Sequence, residues 1–161
     1  MSMNNEPQAE HRWLHRLVGE WEGDGEMPAA PGEAATTWRS LQSVRKIGEL
    51  WIQCETRIQM ADGGADIMQI TLGYDTAQGH YVGVFAGSMM SNLWIYQGKV
   101  EADGRTLTLD TEGPDFGSGQ TRRFQDIVEL IDDDRHELRS RMLGDDGQWQ
   151  PVMTVRYRRT G

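Results

Sequence analysis

The run "RRFQDIVEL", residues 122–130, sets a carboxylate among apolar residues. Read as a strand, its period of two puts Asp126 on the same face as Phe124, Val128 and Leu130, so the acid points where the core should be. An inward carboxyl needs a hydrogen-bond partner or a raised pKa, and either would make it the polar point of an apolar interior. The same counting turns Thr56, Tyr74, Tyr96, Ser140 and Tyr157 inward as partners. A one-residue bulge would instead leave Asp126 in water, and that alternative stays open.

Other chemistry-bearing groups form weaker patterns. His11 and His15 stand at helical i, i+4 spacing, but no Cys, Asp or Glu completes a metal-ligand set, so packing beside Trp13 and Leu17 is the expectation and no metal is. His80 and His136 fall in or beside turn signals and are expected in solvent. "GPDFGSGQT" superficially resembles a phosphate loop, yet Gln120 stands where the lysine should, and no strand-loop-helix context surrounds it. A glycine-rich hairpin loop is expected, in which Pro114, Asp115 and Phe116 either connect strands or fold over an opening. No Gly-x-Ser-x-Gly elbow or Ser, His and Asp grouping appears. Enzymatic activity is neither supported nor excluded. Adjacent Met89 and Met90 in "GSMMSNLW" offer soft, adaptable side chains, either filling gaps or lining an entrance for an apolar ligand.

The elements that would position these groups are mostly strands. After a polar tail, residues 1–7, the stretch "PQAEHRWLHRLVG" puts Trp13, Leu14, Leu17 and Val18 on one helical stripe ending at Gly19. From Glu20 onward the period falls to two, with turn signals such as "ADGGAD", "DTAQGH", "EADGR" and "GDDGQ". The clearest strand is "LWIQCETRIQM", in which Leu50, Ile52, Cys54, Thr56, Ile58 and Met60 alternate with polar residues and Trp51. Further inward sets are Met68, Ile70, Leu72 and Tyr74; Trp94, Tyr96 and Val100; Leu107 and Leu109; Leu138 and Met142; and Trp149, Met153, Val155 and Tyr157. About ten short hairpin-linked strands should close into an up-and-down antiparallel barrel, an all-β fold with one N-terminal helix, as a single domain over residues 8–161.

Composition bounds the partners. A formal net charge of −9 opposes phosphate backbones and anionic lipid, so neither nucleic acid nor membrane is an expected partner. One cysteine, Cys54, leaves no internal disulfide, and neither a signal-peptide pattern nor a membrane-length apolar run is present. A cytoplasmic location is expected, with a homodimer left open.

"LVGEWEGDGEM", residues 17–27, joins helix to barrel. Trp21 begins the first strand, and Gly23 and Gly25 would let that strand bend. This Gly-x-Trp pattern resembles the signature of lipocalins and related calycin barrels, which implies that Trp21 closes one barrel end under a basic residue of the last strand. Arg156 or Arg158 of "VRYRR" is expected to stack there. From His11 to Arg159, the segments "HRWLHRLVGEWEGDGEM", "LGYD", "GSMMSNLWIYQG", "ADGRTLTLDTEGPDF" and "MLGDDGQWQPVMTVRYRR" resemble the bacterial family known as domain of unknown function 1579. That resemblance implies a lipocalin-like barrel and no established activity. Some barrels of this kind hold haem through a late-strand histidine; only His136, at a strand edge, is a candidate, and no cofactor is expected. The reading is therefore a barrel binding a small apolar molecule in a cavity lined by Thr56, Tyr74, Met89, Met90, Trp94, Tyr96, Asp126, Ser140, Met142 and Tyr157. The alternatives are a filled barrel acting as an interaction module, and an enzyme using Asp126 or a cavity tyrosine.

Overall fold

The computed structural model describes residues 6–161, so most of the expected tail lies outside the described residues. A short helix, α1 (Ala9–His15), leads into ten strands: β1 (Gly19–Met27), β2 (Thr36–Ile47), β3 (Trp51–Gln59), β4 (Ala65–Asp75), β5 (His80–Gly87), β6 (Trp94–Val100), β7 (Thr106–Pro114), β8 (Thr121–Asp132), β9 (Arg135–Leu143) and β10 (Trp149–Arg159). Each strand pairs antiparallel with the next, and β1 pairs with β10, so the sheet is a closed up-and-down barrel with no free edge. No helix is long and apolar enough to cross a membrane among the described residues.

Alternation fixes which side chains enter the barrel. On β3 the buried positions are Ile52, Cys54 and Thr56, as the sequence pattern requires. On β7 they are Leu107, Leu109 and Thr111. Two strands carry no such signal: β2 turns Ser40 and Gln42 inward with Val44, and β5 turns inward Gly83 between Tyr81 and Phe85. The inward set expected on β10 fails at one residue. A register shift between Pro151 and Met153 rotates the strand, so Trp149 lies outside, under the Arg141 guanidinium at 4.8 Å.

Gly23 and Gly25 are required for space. A Cβ on Gly25 would run into the Trp38 indole, and one on Gly23 into the Tyr157 ring. Gly113 likewise lies beneath the Trp94 ring. Each bare backbone position thus accepts an aromatic face from the neighbouring strand, which recovers buried apolar area that a glycine alone would forfeit.

The helix closes one end. His11 accepts a hydrogen bond from the Gln8 amide at Nδ1, so its Nε2 carries the proton and donates to the Tyr74 carbonyl, at 3.1 Å. Leu14, together with Leu17 in the turn that follows, is buried in the barrel end. Trp13 donates to the Gly104 carbonyl at 2.8 Å, and Tyr81 to that of Glu10 at 2.9 Å.

Candidate functional site

At the helix end the interior is packed. Trp21, 2% exposed, donates from Nε1 to the Leu17 carbonyl and meets His136 edge-on at 4.3 Å. His136 in turn stacks on Tyr157 at 4.6 Å. The cation over the indole is Arg159, 4.2 Å from the ring centroid, and not Arg156 or Arg158. Arg159 stands opposite Trp21 in the ladder and donates to the carbonyls of Val18, Arg16 and Asp133, which ties the end of the helical turn to the last strand. Arg156 and Arg158 point outward, where Arg158 pairs with Asp24 and Glu22, and Arg156 with Glu26 and Glu137. His136 is buried rather than solvated. Desolvation, and then the nearby Arg159 charge, hold its pKa at about 3, so the ring is neutral.

The other end is hollow. A cavity of about 890 Å³ opens between the hairpins and descends to Asp126 and Ser140. Its walls are apolar: Trp38, Met68, Phe85, Trp94, Phe124 and Met153. Trp94 meets Phe124 edge-on at 5.0 Å and donates from Nε1 to the Met90 sulfur at 3.2 Å, fixing both rings of that wall. At the rim stand Met89, 46% exposed, and Phe116, 71% exposed. Phe116 rides on the β7–β8 loop, the hairpin of "GPDFGSGQT". Asp115 accepts there from the Gly117 amide and the Ser118 hydroxyl, and Arg122 joins Asp115 to Asp145 of the β9–β10 loop.

Asp126 marks the floor. It faces inward from β8, its carboxylate accepts the Tyr96 hydroxyl, and the Ser140 hydroxyl lies beside it. Burial raises its pKa, and the two hydroxyls oppose that rise. Burial first, and the Asp126 charge second, hold the Tyr96 phenol well above its ordinary value. Beneath them a void of only about 30 Å³ separates Asp126 from Cys54, His136 and Tyr157, with Leu17 of the helix-end turn at its base.

The sequence-derived site residues therefore occupy three levels. Met89, Met90, Trp94, Asp126 and Ser140 line the hollow. Thr56, Tyr96 and Tyr157 are buried in the floor, with Thr56 accepting from Gln42 at 3.2 Å and Tyr157 facing Thr56 and Ser40. Tyr74 sits at the opposite end, against His11 and Tyr81, because its strand enters at the rim with Ala65 and reaches the helix at Asp75. Met142, half-buried opposite Phe124, does not line the hollow. Sequence reasoning missed Trp38 and Phe85, which lie on the two strands whose inward alternation is interrupted by Ser40 and Gln42 or by Gly83. No group of three or more His, Cys, Asp or Glu side chains is placed to hold a metal ion among the described residues.

Fold and site together define a small closed β-barrel, half packed and half hollow, with one carboxyl group at the base of an apolar cavity. The chain belongs to the family described as protein of unknown function (DUF1579), whose model matches residues 6–159. No curated protein matches it. Among solved structures it is similar to Rv2717c from M. tuberculosis, at 15% identity and a TM-score of 0.63 over 97% of this chain and 100% of that one. It is also similar to the S-type phycobiliprotein lyase CPES from Guillardia theta, at 12% identity and a TM-score of 0.61 over 96% and 99%. A redesigned β-barrel matches at 13% identity and a TM-score of 0.51 over 93% and 96%. At these identities the likeness is one of fold.

Proposed function

We propose that this protein binds one small, largely apolar molecule in the open half of its barrel and does so in the cytoplasm. The observation that carries the reading is the hollow itself: about 890 Å³ of space walled largely by aromatic and methionine side chains, with Asp126 and Ser140 at its floor. Pockets of roughly 300–1,000 Å³ with apolar walls and a few convergent polar groups suit ligands of drug-like size. The methionines add walls that adapt to ligand shape. A barrel serving only as an interaction surface would gain nothing from leaving this volume unfilled, since an unfilled interior forfeits dispersion contacts along its lining.

The test uses a neutral apolar fluorophore, N-phenyl-1-naphthylamine. It should bind saturably at one site and quench tryptophan emission through Trp38 and Trp94. Met68→Trp should block the probe while shifting stability by less than about 0.5 kcal/mol, as the added volume enters open space. Absence of saturable binding, with Met68→Trp costing the roughly 1–3 kcal/mol of an overpacked core, would leave the interaction module as the reading.

A further inference from the structure

We infer that the ligand is an amphiphilic amine, an apolar body with one protonated nitrogen that enters nitrogen-first and seats on Asp126. This rests on the cavity reading above and supplies its ligand class.

The ionisable groups lining the hollow are of one sign. Asp66 stands at the rim and Asp126 at the floor, and no Lys, Arg or His lines the cavity among the described residues. The groups that face Asp126 are uncharged: the Tyr96 hydroxyl from β6, Ser140 from β9 and, across the small void, Cys54 from β3, Tyr157 from β10 and the neutral His136 from β9. A carboxylate desolvated without a counter-ion is destabilised, and an ammonium brought in by the ligand would be the missing charge. Two hydroxyl groups already hold the carboxylate in place, so little ordering is left to the ligand.

The wall above the floor is built for the same chemistry. Trp38, Phe85, Trp94 and Phe124 present rings around the path to Asp126, and ring faces attract a cation that has shed its water. The Thr111 hydroxyl, buried on the cavity lining without a hydrogen-bond partner, is a further acceptor for an N–H group. Thr111 lies one inward step rimward of Leu109, the residue opposite Asp126 in the ladder, so its hydroxyl stands on the nitrogen's path to the carboxyl rather than beside it. From Thr121 at the rim to Asp126 the chain runs five residues, about 17 Å of strand, which calls for a long apolar body behind the nitrogen. An anionic amphiphile meets the opposite situation. Arg122, next to the rim loop that carries Phe116, is already held between Asp115 and Asp145.

The experiment is calorimetric titration at neutral pH with decylamine, decanol and decanoate, each below its aggregation concentration, on the full chain and on Asp126→Asn. The wild type should bind decylamine about tenfold or more tighter than decanol, with decanoate weakest. Asp126→Asn should erase the preference for the amine while keeping decanol affinity. Decanol or decanoate binding as tightly as decylamine would overturn the inference, and so would an Asn variant that retains the preference. Should that variant not fold, the wild-type ranking alone decides. None of the three binding, while the neutral fluorophore does, would overturn the amine and leave the cavity; loss of the fluorophore as well would overturn both.

Discussion

The two ends of this barrel use the same strands for opposite purposes. At the helix end the buried apolar residues include Leu14, Leu107, Leu109, Leu130 and Val155, all nearly inaccessible, and Trp21 and Arg159 beside them donate to backbone carbonyls. At the open end the same alternation brings in Met68, Phe85, Phe124 and Met153, which wall a hollow instead of filling it. The difference shows that alternation assigns side chains to the inside of a barrel, whereas side-chain volume at each level decides whether that inside is core or cavity.

The sharpest way to break this contrast is to truncate one aromatic at each end. Trp21→Ala should cost about 3–5 kcal/mol in urea denaturation, since it removes a buried indole, its hydrogen bond to Leu17 and the ring beneath Arg159. Phe116→Ala at the rim should change stability by no more than about 0.5 kcal/mol. Equal costs would mean that the open half is as tightly packed as the closed one.

Protonation separates the ends next. The folded protein holds His136 neutral with a pKa of about 3 against 6.5 for a free imidazole, so between those values only the unfolded chain takes up the proton. Stability contributed by this residue is intact above pH 6.5 and is lost as pH falls toward 3, amounting to about 2 kcal/mol between pH 7 and pH 5. Asp126 acts in the opposite sense. Its raised pKa means that acidification relieves a penalty that is present when the carboxyl ionises. Urea midpoints at the two pH values should therefore show a flatter dependence in His136→Phe and a steeper one in Asp126→Asn. A His136→Phe variant as acid-sensitive as the wild type would show that the closed end does not depend on a neutral imidazole.

The smallest effect is expected outside the barrel. Arg158→Ala removes exposed pairs with Asp24 and Glu22, and double-mutant precedent puts such pairs at about 0–1 kcal/mol, falling further with salt. Replacing Arg159 instead should be costlier, and a denaturation series over the two arginines would confirm which of them belongs to the core.

Much of this contrast could be read from the chain, and its gaps have physical causes. The phase of β3 was plain because its inward residues alternate with outward polar ones, and the closing role of Trp21 was implied by the resemblance of its Gly-x-Trp entry to lipocalin-type barrels. The partner of that tryptophan was also within reach. The alternation that turns Tyr157 inward turns Arg159 inward as well and sends Arg156 and Arg158 outward. By contrast, β2 and β5 were not legible, since Ser40, Gln42 and Gly83 carry no hydrophobic signal where they enter the barrel. Trp149 was misassigned because a bulge near Pro151 resets the phase, and no residue type announces a bulge of that kind. Tyr74 failed in depth rather than in facing. A period of two distinguishes in from out and is silent about how far along the axis a residue sits. That is also why the cavity could be expected but its lining only partly named.

The pairing of β1 with β10 has a consequence for how the molecule is made. Trp21 meets Arg159 across nearly the entire chain, so the seam is the contact of greatest sequence separation in the barrel. Hairpins from β1–β2 to β9–β10 can form from neighbours as synthesis proceeds, but until β10 is available the sheet has two exposed ladders of unpaired amides. Closure of the seam is therefore the expected slow step of folding, and the interval before it is when the chain is most open to pairing with other copies of itself.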